Sequence, residues 1–336
     1  MRTLVIGDIH GCYRELLDLL DVAAVAADDI VVSVGDLVDR GPESAEVVAW
    51  FRARANAVVL MGNHERKHVR GVMSYSQEVT RVQLGASYAS DVAWMRTLPY
   101  FYETPELRVV HAALVPGVPL AQQDEAILAG TTSGTAALEQ LVPGRWWHEA
   151  YDDAIPVAFG HHVVGPEPLV RDGKIYGLDT GACHGMRLTA LSVPDFKIYS
   201  VPARADHWHA VARRHQLAVL RKRPWATYGW AKLAEAIAAG RAHASPDAHA
   251  YLDAIERWAA ELRALAETLL ARVAELAPSV VDPSTHPAKP LLYKHARGTL
   301  VAADIASRCS SPETTIALAD KLGVHASAMP DVASHS

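Results

Sequence analysis

The chain has 336 residues, of which 50% are apolar and 21% are charged. This composition is that of an ordinary globular protein and excludes disorder throughout, and 21 Gly with 19 Pro exclude a collagen-like chain. The net charge of -6 is not that of a dedicated DNA-binding protein. The 17 His are conspicuous beside 3 Cys and 4 Phe, and they indicate either a metal-binding protein or a compositional habit.

The cysteines and the N-terminal sequence bear on the compartment. Three Cys, none in a C-x-x-C pair, do not make a disulfide framework and indicate reduced thiols. The chain enters a β-type run at once, without the charged and apolar regions of a leader. No apolar run approaches the roughly 18 residues of a membrane span. We therefore expect a cytoplasmic protein with no membrane partner.

The first sixty residues alternate short apolar runs with helical patterns, which is typical of an α/β layered sheet with crossover helices. Polar residues end each strand, at Asp8, Asp36 and Asn63, where the working residues of such sheets lie. The predicted elements are strands at 3–7, 29–34 and 57–61 and helices at 14–22 and 44–55.

The middle of the chain is less regular. Residues 82–95 have helical spacing, and two short strands end at His111 and at the pair His161-His162. The predicted strands are 107–110, 157–159 and 174–178, followed by a hairpin of 188–192 with 196–200.

After Pro202 the periodicity becomes helical, with predicted helices at 208–220, 231–239 and 245–276. A stiff connector is predicted from Pro278, Pro283, Pro287 and Pro290, and the last dozen residues are expected to be disordered. We therefore predict a catalytic domain at 1–203, a helical extension at 204–277, and a Pro-rich connector with a partly disordered tail at 278–336.

The segment 204–241 carries eight basic and two acidic residues, a local charge of +6, with three Trp and one Tyr among them. Basic residues with aromatics can bind nucleic acid. In the interpretation we prefer, the aromatics anchor the helices on the 1–203 domain while the charges form a solvated face. A third possibility is recognition of a polyanionic small substrate. The 245–276 helix is interpreted as a packing element or the seam of a homodimer.

Five short motifs place oxygen and imidazole donors at strand ends. The donors are carboxylates, an amide and imidazoles, a set that suits Mn, Fe or Zn and not the all-oxygen shell of Ca. Each motif alone is common in turns, but all five in order are not. They are residues 7–11 (GDIHG), residues 35–41 (GDLVDRG), residues 62–65 (GNHE), His111, and Gly160-His161.

These motifs resemble those of the calcineurin-like metallophosphoesterases, within the phosphoprotein phosphatase branch, over about residues 1–200. Longer stretches at 35–42, 62–67, 111–117 and 177–183 resemble the bacterial diadenosine tetraphosphatase-like and serine/threonine protein phosphatase-like subgroup. Departures are Ala113, where Gly is common, and His162, where Thr is common. The resemblance implies a four-layer αββα sandwich of the α/β class, with the helical extension at its C-terminus.

The resemblance also implies a binuclear centre with two divalent metal ions, Mn²⁺ preferred and Fe or Zn as alternatives. Their shared water would attack phosphorus in line. Asp36 would bridge the two ions, and the pattern favours His161 over His162 as ligand. The implied ligands are Asp8, His10 and Asp36 for the first ion and Asp36, Asn63, His111 and His161 for the second.

The remaining implied roles concern the phosphoryl group and the leaving oxygen. Arg40 would bind the phosphate with Asn63, because a planar guanidinium suits two oxygens. His64 would protonate the leaving oxygen, and Asp39 would orient its ring. A second phosphate-binding arginine is usual; Arg145 is our candidate and Arg187 its rival.

The predicted function is therefore a phosphohydrolase acting on nucleotides, dinucleoside polyphosphates or phosphoproteins. The first alternative is a serine/threonine protein phosphatase proper, because Asp39 and Glu65 have the protein-phosphatase-like form. The second is a retired phosphatase fold serving as a nucleic-acid-binding or scaffold protein. That alternative predicts a missing ligand or acid, and none is missing.

Overall fold

The computed structural model describes residues 2–241, 244–280 and 282–330. The chain divides into two compact units at His215 and Gln216. The strands of the described residues all lie in the first unit. They are β1 (Thr3–Ile6), β2 (Ile30–Ser33), β3 (Ala57–Val59), β4 (Phe101–Glu103), β5 (Arg108–Val110), β6 (Val157–Phe159), β7 (Leu169–Arg171), β8 (Ile175–Gly177), β9 (Arg187–Val193) and β10 (Ile198–Pro202).

Helices surround and follow these strands. Those of the first unit are α1 (Tyr13–Val22), α2 (Ser44–Ala53), α3 (Asn63–Val69), α4 (Tyr75–Leu84), α5 (Tyr88–Met95), α6 (Glu125–Leu128) and α7 (Thr132–Leu141). The helix α8 (His207–Lys222) crosses the division between the units. Those after it are α9 (Trp230–Arg241), α10 (Pro246–Leu276), α11 (Lys289–Ala296), α12 (Ala302–Ala306) and α13 (Pro312–Leu322).

The strands form two mixed five-stranded sheets. The order of the first is β10-β9-β1-β2-β3, with β1, β2 and β3 parallel and β9 antiparallel to β1. The order of the second is β4-β5-β6-β8-β7, with β5, β6 and β8 parallel. The parallel strands end at the same edge of each sheet, where the polar motifs begin.

Alternation along the strands sorts the side chains into layers, because successive residues point to opposite faces. Val5 of β1 and Val109 of β5 lie in one core cluster between the two sheets. Ile6 packs on the other face with residues of α1 and α2. Val110 and Phe159 pack against the α6 region. The predicted four-layer αββα sandwich with a helical C-terminal region is confirmed.

Some local predictions differ from the structure. The helix predicted at 82–95 is broken at Gly85, whose φ of +55° lies outside the helical region, and continues as α5. The helices α3 and α7 and the edge strands β4 and β7 were not predicted. Each edge strand has only three residues, too few for a clear alternation.

The second unit is built around α10, which begins at a Ser245 cap and has Pro246 in its first turn. Its apolar positions, among them Leu252 and Leu269, are buried against other helices of the same unit. A homodimer through this helix stays a prediction, and its apolar stripe is no longer an argument for it. None of the described helices is long and apolar enough to cross a bilayer.

The segment predicted as a Pro-rich connector contains three helices, α11, α12 and α13. Pro290 and Pro312 lie in the first turns of α11 and α13, where a proline costs no hydrogen bond. Leu291, Ile305 and Leu322 then pack with α10. The segment is therefore a folded part of the second unit through residue 330, and residues 331–336 of the expected disordered tail lie outside the described residues.

The aromatic residues of the basic segment are engaged in packing. Trp225 is fully buried and its indole donates to the carbonyl of Leu220. Trp230 donates to the carbonyl of Cys309 at 2.5 Å, and Lys232 lies over the ring of Tyr228. These contacts lie within the second unit, so anchoring on the 1–203 domain and nucleic-acid binding through 204–241 both stay predictions.

Candidate active site

The structure brings the five sequence motifs together at the carboxyl edges of the two sheets. Asp8 follows β1, Asp36 follows β2 and Asn63 begins α3 directly after β3. His111 follows β5 and His161 follows β6 in the second sheet. Crossover connections thus bring residues separated by up to 153 positions into contact.

A first group of donors consists of His10, Asp36 and His64, whose donor atoms lie within 4.8 Å of one another. His10 Nδ1 lies 2.8 Å from the carbonyl of Val38, which leaves Nε2 toward Asp36 at 3.6 Å from Oδ2. Such an anchored second nitrogen fixes the ring and the tautomer that a metal ligand needs.

A second group consists of Asp36, His111 and His161. His111 Nε2 lies 3.5 Å from Asp36 Oδ1, and its Nδ1 lies 3.0 Å from the carbonyl of Val34. Asn63 Oδ1 lies 3.1 Å from His111 Nε2 and 3.0 Å from His161 Nδ1. Asp36 belongs to both groups, one carboxylate oxygen facing each.

Asp8 lies beside these groups and is buried. The backbone N–H of His161 donates to both of its carboxylate oxygens, at 3.0 and 3.1 Å. Burial raises the pKa of Asp8 well above its usual value, and the neighbouring carboxylates of Asp179 and Asp36 raise it further. A bound cation would relieve this repulsion.

The protonation states also suit a cation. Burial lowers the pKa of His10 well below its usual value, and the charge of Arg40 lowers it further. Burial lowers the pKa of His111, and burial with the neighbouring His111 lowers that of His161 to about 4. Burial alone would raise the pKa of Asp36, but the surrounding imidazoles outweigh it and hold the carboxylate ionised. Neutral imidazoles with ionised carboxylates are the state in which such side chains bind metal, so the donor set fits divalent ions.

The adjacent histidines His161 and His162 point to different places. His161 meets Asn63, and its left-handed φ of +66° turns the chain at this point. The ring of His162 instead lies 4.6 Å from that of Trp146. The geometry agrees with the choice of His161 as the candidate ligand.

His64 differs from the candidate ligand imidazoles because a carboxylate holds one of its ring nitrogens. Its Nδ1 lies 2.5 Å from Asp39 Oδ2, and its Nε2 lies 3.1 Å from Arg40 Nη2. Burial lowers the pKa of His64, but the carboxylates of Asp36 and Asp39 outweigh burial and raise it. A raised pKa favours the protonated ring, as a proton donor requires.

Asp39 is buried and fully engaged as an acceptor. Thr80 Oγ1 donates to Oδ1 at 2.6 Å, His68 Nε2 lies 3.0 Å from the same oxygen, and Gln77 donates to Oδ2. Burial raises the pKa of Asp39, but His64 and His68 outweigh it, so the pKa is well below its usual value. Asp39 therefore holds the His64 ring as a permanent carboxylate.

Arg40 lies between the rings of His10 and His64, which both belong to the first group of donors. Its Nη1 is 2.9 Å from His10 Nε2 and its Nη2 is 3.1 Å from His64 Nε2. The backbones of Asp39 and Arg40 have φ values of +73° and +66°, in the left-handed region. Such strain persists where the surrounding structure fixes it, and it commonly marks functional sites.

Glu65 acts on the backbone of the site. Its two oxygens accept from the N–H groups of Asp36 at 2.9 Å, Leu37 at 2.8 Å and Gly62 at 3.2 Å. Burial, with the charge of Asp36, raises its pKa to about 7. Glu65 thus fixes the turn that presents Asp36.

Two glycines let the backbone approach the carboxylates. A Cβ at Gly62 would lie 2.2 Å from Asp36 Oδ1, and one at Gly160 would lie 2.0 Å from Asp8 Oδ1. Any side chain at either position would displace a candidate ligand.

The two candidates for the second phosphate-binding arginine differ in their surroundings. Arg187 donates to Ser200 Oγ at 2.8 Å and to the Ser200 carbonyl, within the β9–β10 hairpin. Arg145 is exposed and lines a cavity together with His161 and His162. The placement agrees with the choice of Arg145.

Sequence reasoning missed several residues of this site. His68 lies one helical turn after His64, and this i, i+4 spacing could have placed both rings on one face of α3. Gln77 and Thr80 come from α4, and no local signal in the sequence connects them with Asp39. Asp179 is also buried at the site, and its carboxylate accepts from the N–H of Gly181.

Comparison with known proteins agrees with this geometry. The symmetrical bis(5'-nucleosyl)-tetraphosphatase of Edwardsiella ictaluri (strain 93-146) is 28% identical over 279 residues, which cover 63% of this chain and 100% of that protein. The asymmetrical bis(5'-nucleosyl)-tetraphosphatase PrpE of Halalkalibacterium halodurans (strain ATCC BAA-125 / DSM 18197 / FERM 7344 / JCM 9153 / C-125) is 27% identical over 235 residues, 61% of this chain and 95% of that protein.

A crystal structure provisionally named as a diadenosine tetraphosphatase has a TM-score of 0.50 and 28% identity, covering 60% of this chain and 93% of its own. The family profile of the calcineurin-like phosphoesterases matches residues 1–197, the whole αββα sandwich up to the last hairpin. The chain therefore belongs to the calcineurin-like phosphoesterase family and is a metal-dependent hydrolase of that family.

Proposed function

We propose that this enzyme hydrolyses dinucleoside polyphosphates with two divalent ions, Mn²⁺ preferred and Fe or Zn as alternatives, in the cytoplasm. The observation that carries the proposal is the position of Asp36, which faces one donor group with Oδ2 and the other with Oδ1. A carboxylate shared in this way is what a pair of adjacent ions requires.

Asp8, His10 and Asp36 would hold the first ion, and Asp36, Asn63, His111 and His161 the second. His64 is left out of this assignment because the carboxylate of Asp39 holds its Nδ1, an arrangement that suits a proton donor. The bound ions would supply an acidified water and neutralise the charge on phosphoryl oxygens.

Arg40 would bind the phosphoryl group that undergoes attack. Its guanidinium lies at the edge of the first donor group, and its planar fork can address two oxygens at once. Asn63 would assist it, and Arg145 would bind a second phosphate at the rim of the adjoining cavity.

His64 would give its proton to the leaving oxygen. Asp39 fixes the ring through Nδ1, so that Nε2 faces Arg40 and the bound phosphate. The short distance between His64 Nε2 and Arg40 supports this role, because a leaving oxygen of a phosphoryl group bound by Arg40 would then lie beside the acid.

The substrate class is inferred from the relatives, which are named for dinucleoside tetraphosphate hydrolysis in symmetrical and asymmetrical forms. A serine/threonine protein phosphatase is the second candidate. The Asp39–His64 pair favours it, because that pair is the protein-phosphatase-like feature of the motif.

A substrate panel tests the proposal. Purified enzyme is loaded with Mn²⁺, Fe²⁺ or Zn²⁺ and assayed on diadenosine tetraphosphate, a mononucleotide, a phosphopeptide and p-nitrophenyl phosphate. We expect the highest kcat/KM on diadenosine tetraphosphate with Mn²⁺. A preference for the phosphopeptide would establish the second candidate instead, and no turnover of any substrate would contradict both.

A further inference from the structure

A cavity of about 780 Å³ opens beside the second donor group, entirely within the first unit. It begins at His161 and at the two alanines that follow His111, and its far walls are α7 and the segment 142–149. This volume lies in the range of about 300–1,000 Å³ that is typical of small-molecule sites. The family motifs do not contribute its far wall, and the mechanism above uses only Arg145 at its rim.

One wall of the cavity is a layered aromatic stack. The ring of His148 lies 5.5 Å from that of Phe159 at an angle of 18°, and 5.9 Å from that of Trp146 at 12°. Trp147 packs edge-on against Phe159 in the buried layer below. The stack runs from the core outward and ends at the indole ring of Trp146.

Trp146, the last ring of the stack, is 52% exposed. A large apolar ring with half of its surface in water beside a concave site is typical of a ligand-binding position. The ring lies 4.6 Å from that of His162, next to the candidate ligand His161. Trp146 therefore stands between the cavity and the reaction centre.

The wall is held in place without a ligand. Glu149 accepts from the N–H of Trp146 at 3.0 Å, and Arg171 donates to the carbonyl of His148. A fixed aromatic wall lowers the entropy lost on binding. Besides the histidines, the tryptophans and Glu149, the polar residues that line the cavity are Thr135, Glu139 and Arg145.

We propose that this cavity is a nucleoside subsite, in which a base of the substrate stacks on Trp146 while the phosphate chain runs past Arg145 to the donor groups. This inference rests on the proposed function and deepens it. A flat indole face with an apolar cavity behind it suits a planar heterocycle, since every base offers a π-face. A phosphoserine or phosphothreonine peptide has no such planar group next to its phosphate.

The test compares Trp146→Ala with wild type in the full chain. Stacking of one base on an aromatic side chain contributes about 1–3 kcal/mol by alanine substitution, or roughly 5- to 150-fold in affinity. We expect KM for diadenosine tetraphosphate to rise by about that factor, far more than KM for p-nitrophenyl phosphate. Trp146→Phe should restore most of the difference.

Binding of AMP to the EDTA-treated protein, measured by titration calorimetry, gives a second readout that needs no turnover. AMP should bind wild type more tightly than Trp146→Ala. Tyr293→Ala is the matched control, because Tyr293 is an exposed aromatic outside the site, in α11.

The outcomes separate the two proposals. Suppose that wild type hydrolyses diadenosine tetraphosphate, but Trp146→Ala changes both KM values equally and binds AMP as tightly as wild type. The nucleoside subsite is then wrong and the proposed function stands. If wild type cleaves only p-nitrophenyl phosphate, the proposed substrate class is wrong, and the nucleoside subsite that rests on it is wrong as well. A loss confined to a phosphopeptide would assign the cavity to a protein substrate and overturn the inference.

Discussion

The two compact units of the chain bury different kinds of side chain. In Met1–His215 the buried polar residues include ionisable groups such as Asp8, Asp36, Asp39 and His64. In the described part of the second unit, the buried polar residues are uncharged and hydrogen-bonded. These residues are Gln216, Ser311 and Thr315. The first unit thus maintains desolvated charge, which disfavours folding unless it is paired or neutralised.

Backbone strain follows the same division. All of the non-glycine residues with left-handed φ among the described residues lie in the first unit, and five of them belong to the metal and phosphate motifs. In the described part of the second unit only two glycines, Gly298 and Gly323, adopt such angles. The strained residues of the candidate site thus lie in the first unit, and we expect the second unit to follow ordinary packing rules.

Replacing the shared carboxylate should have the largest effect on turnover. Asp36→Asn removes a charged donor from both groups, and we expect kcat to fall more than about 1,000-fold, since metal catalysis supplies several kcal/mol. Bound metal per chain, measured by elemental analysis, should fall with it. The control is Asp28→Asn at an exposed position. A fully metallated, active Asp36→Asn enzyme would remove the basis of the two-metal assignment.

Removal of the proposed acid should have a smaller, substrate-dependent effect. His64→Ala should slow hydrolysis of an alkyl phosphate by about 100-fold or more, because a basic leaving oxygen needs a proton. The loss on p-nitrophenyl phosphate should be far smaller, since that leaving group is a weak base. The exposed His209 provides the control His209→Ala. Equal losses on the two substrates would mean that His64 is not the acid.

Glu65→Gln should lower turnover modestly and should also lower the free energy of unfolding. An amide in this position replaces an acceptor oxygen beside the backbone N–H groups of Asp36 and Leu37. We expect the free energy of unfolding to fall by about 1–3 kcal/mol in urea titrations. Turnover should fall about tenfold, the effect of disturbing a group that orients a ligand. Exposed Glu46→Gln should change neither quantity.

A core substitution in the second unit should leave turnover unchanged. Leu269 is fully buried in α10, so Leu269→Ala should lower the free energy of unfolding by about 2–5 kcal/mol. At a temperature where both proteins are folded, kcat/KM should match wild type. The exposed Val301 gives the control Val301→Ala. A lowered kcat/KM in folded Leu269→Ala would show that the second unit takes part in catalysis and break the comparison.

The sequence predicts the donor positions well because each motif ends a strand. Asp8, Asp36 and Asn63 follow β1, β2 and β3, and parallel strands present their ends at one edge. The short elements were harder to predict. A three-residue edge strand such as β7 has no measurable period, and its existence depends on pairing with β8.

Long-range hydrogen bonds are a second feature that could not be predicted from the sequence. Thr80 and Gln77 meet Asp39 across about forty positions of chain, and the contact depends on how α4 packs. The prolines after residue 277 were misleading for another reason. Pro290 and Pro312 begin helices, a use of proline that composition alone cannot distinguish from a stiff connector.

The close approach of Gly62 and Gly160 to the carboxylates has a consequence for engineering. A library that randomises this enzyme to change its substrate preference should keep both glycines fixed, although neither touches a substrate, because every other residue would displace Asp36 or Asp8. The exposed positions of the segment 141–146 carry no such restriction. New specificities are therefore most accessible there, while the reaction centre itself allows almost no sequence variation.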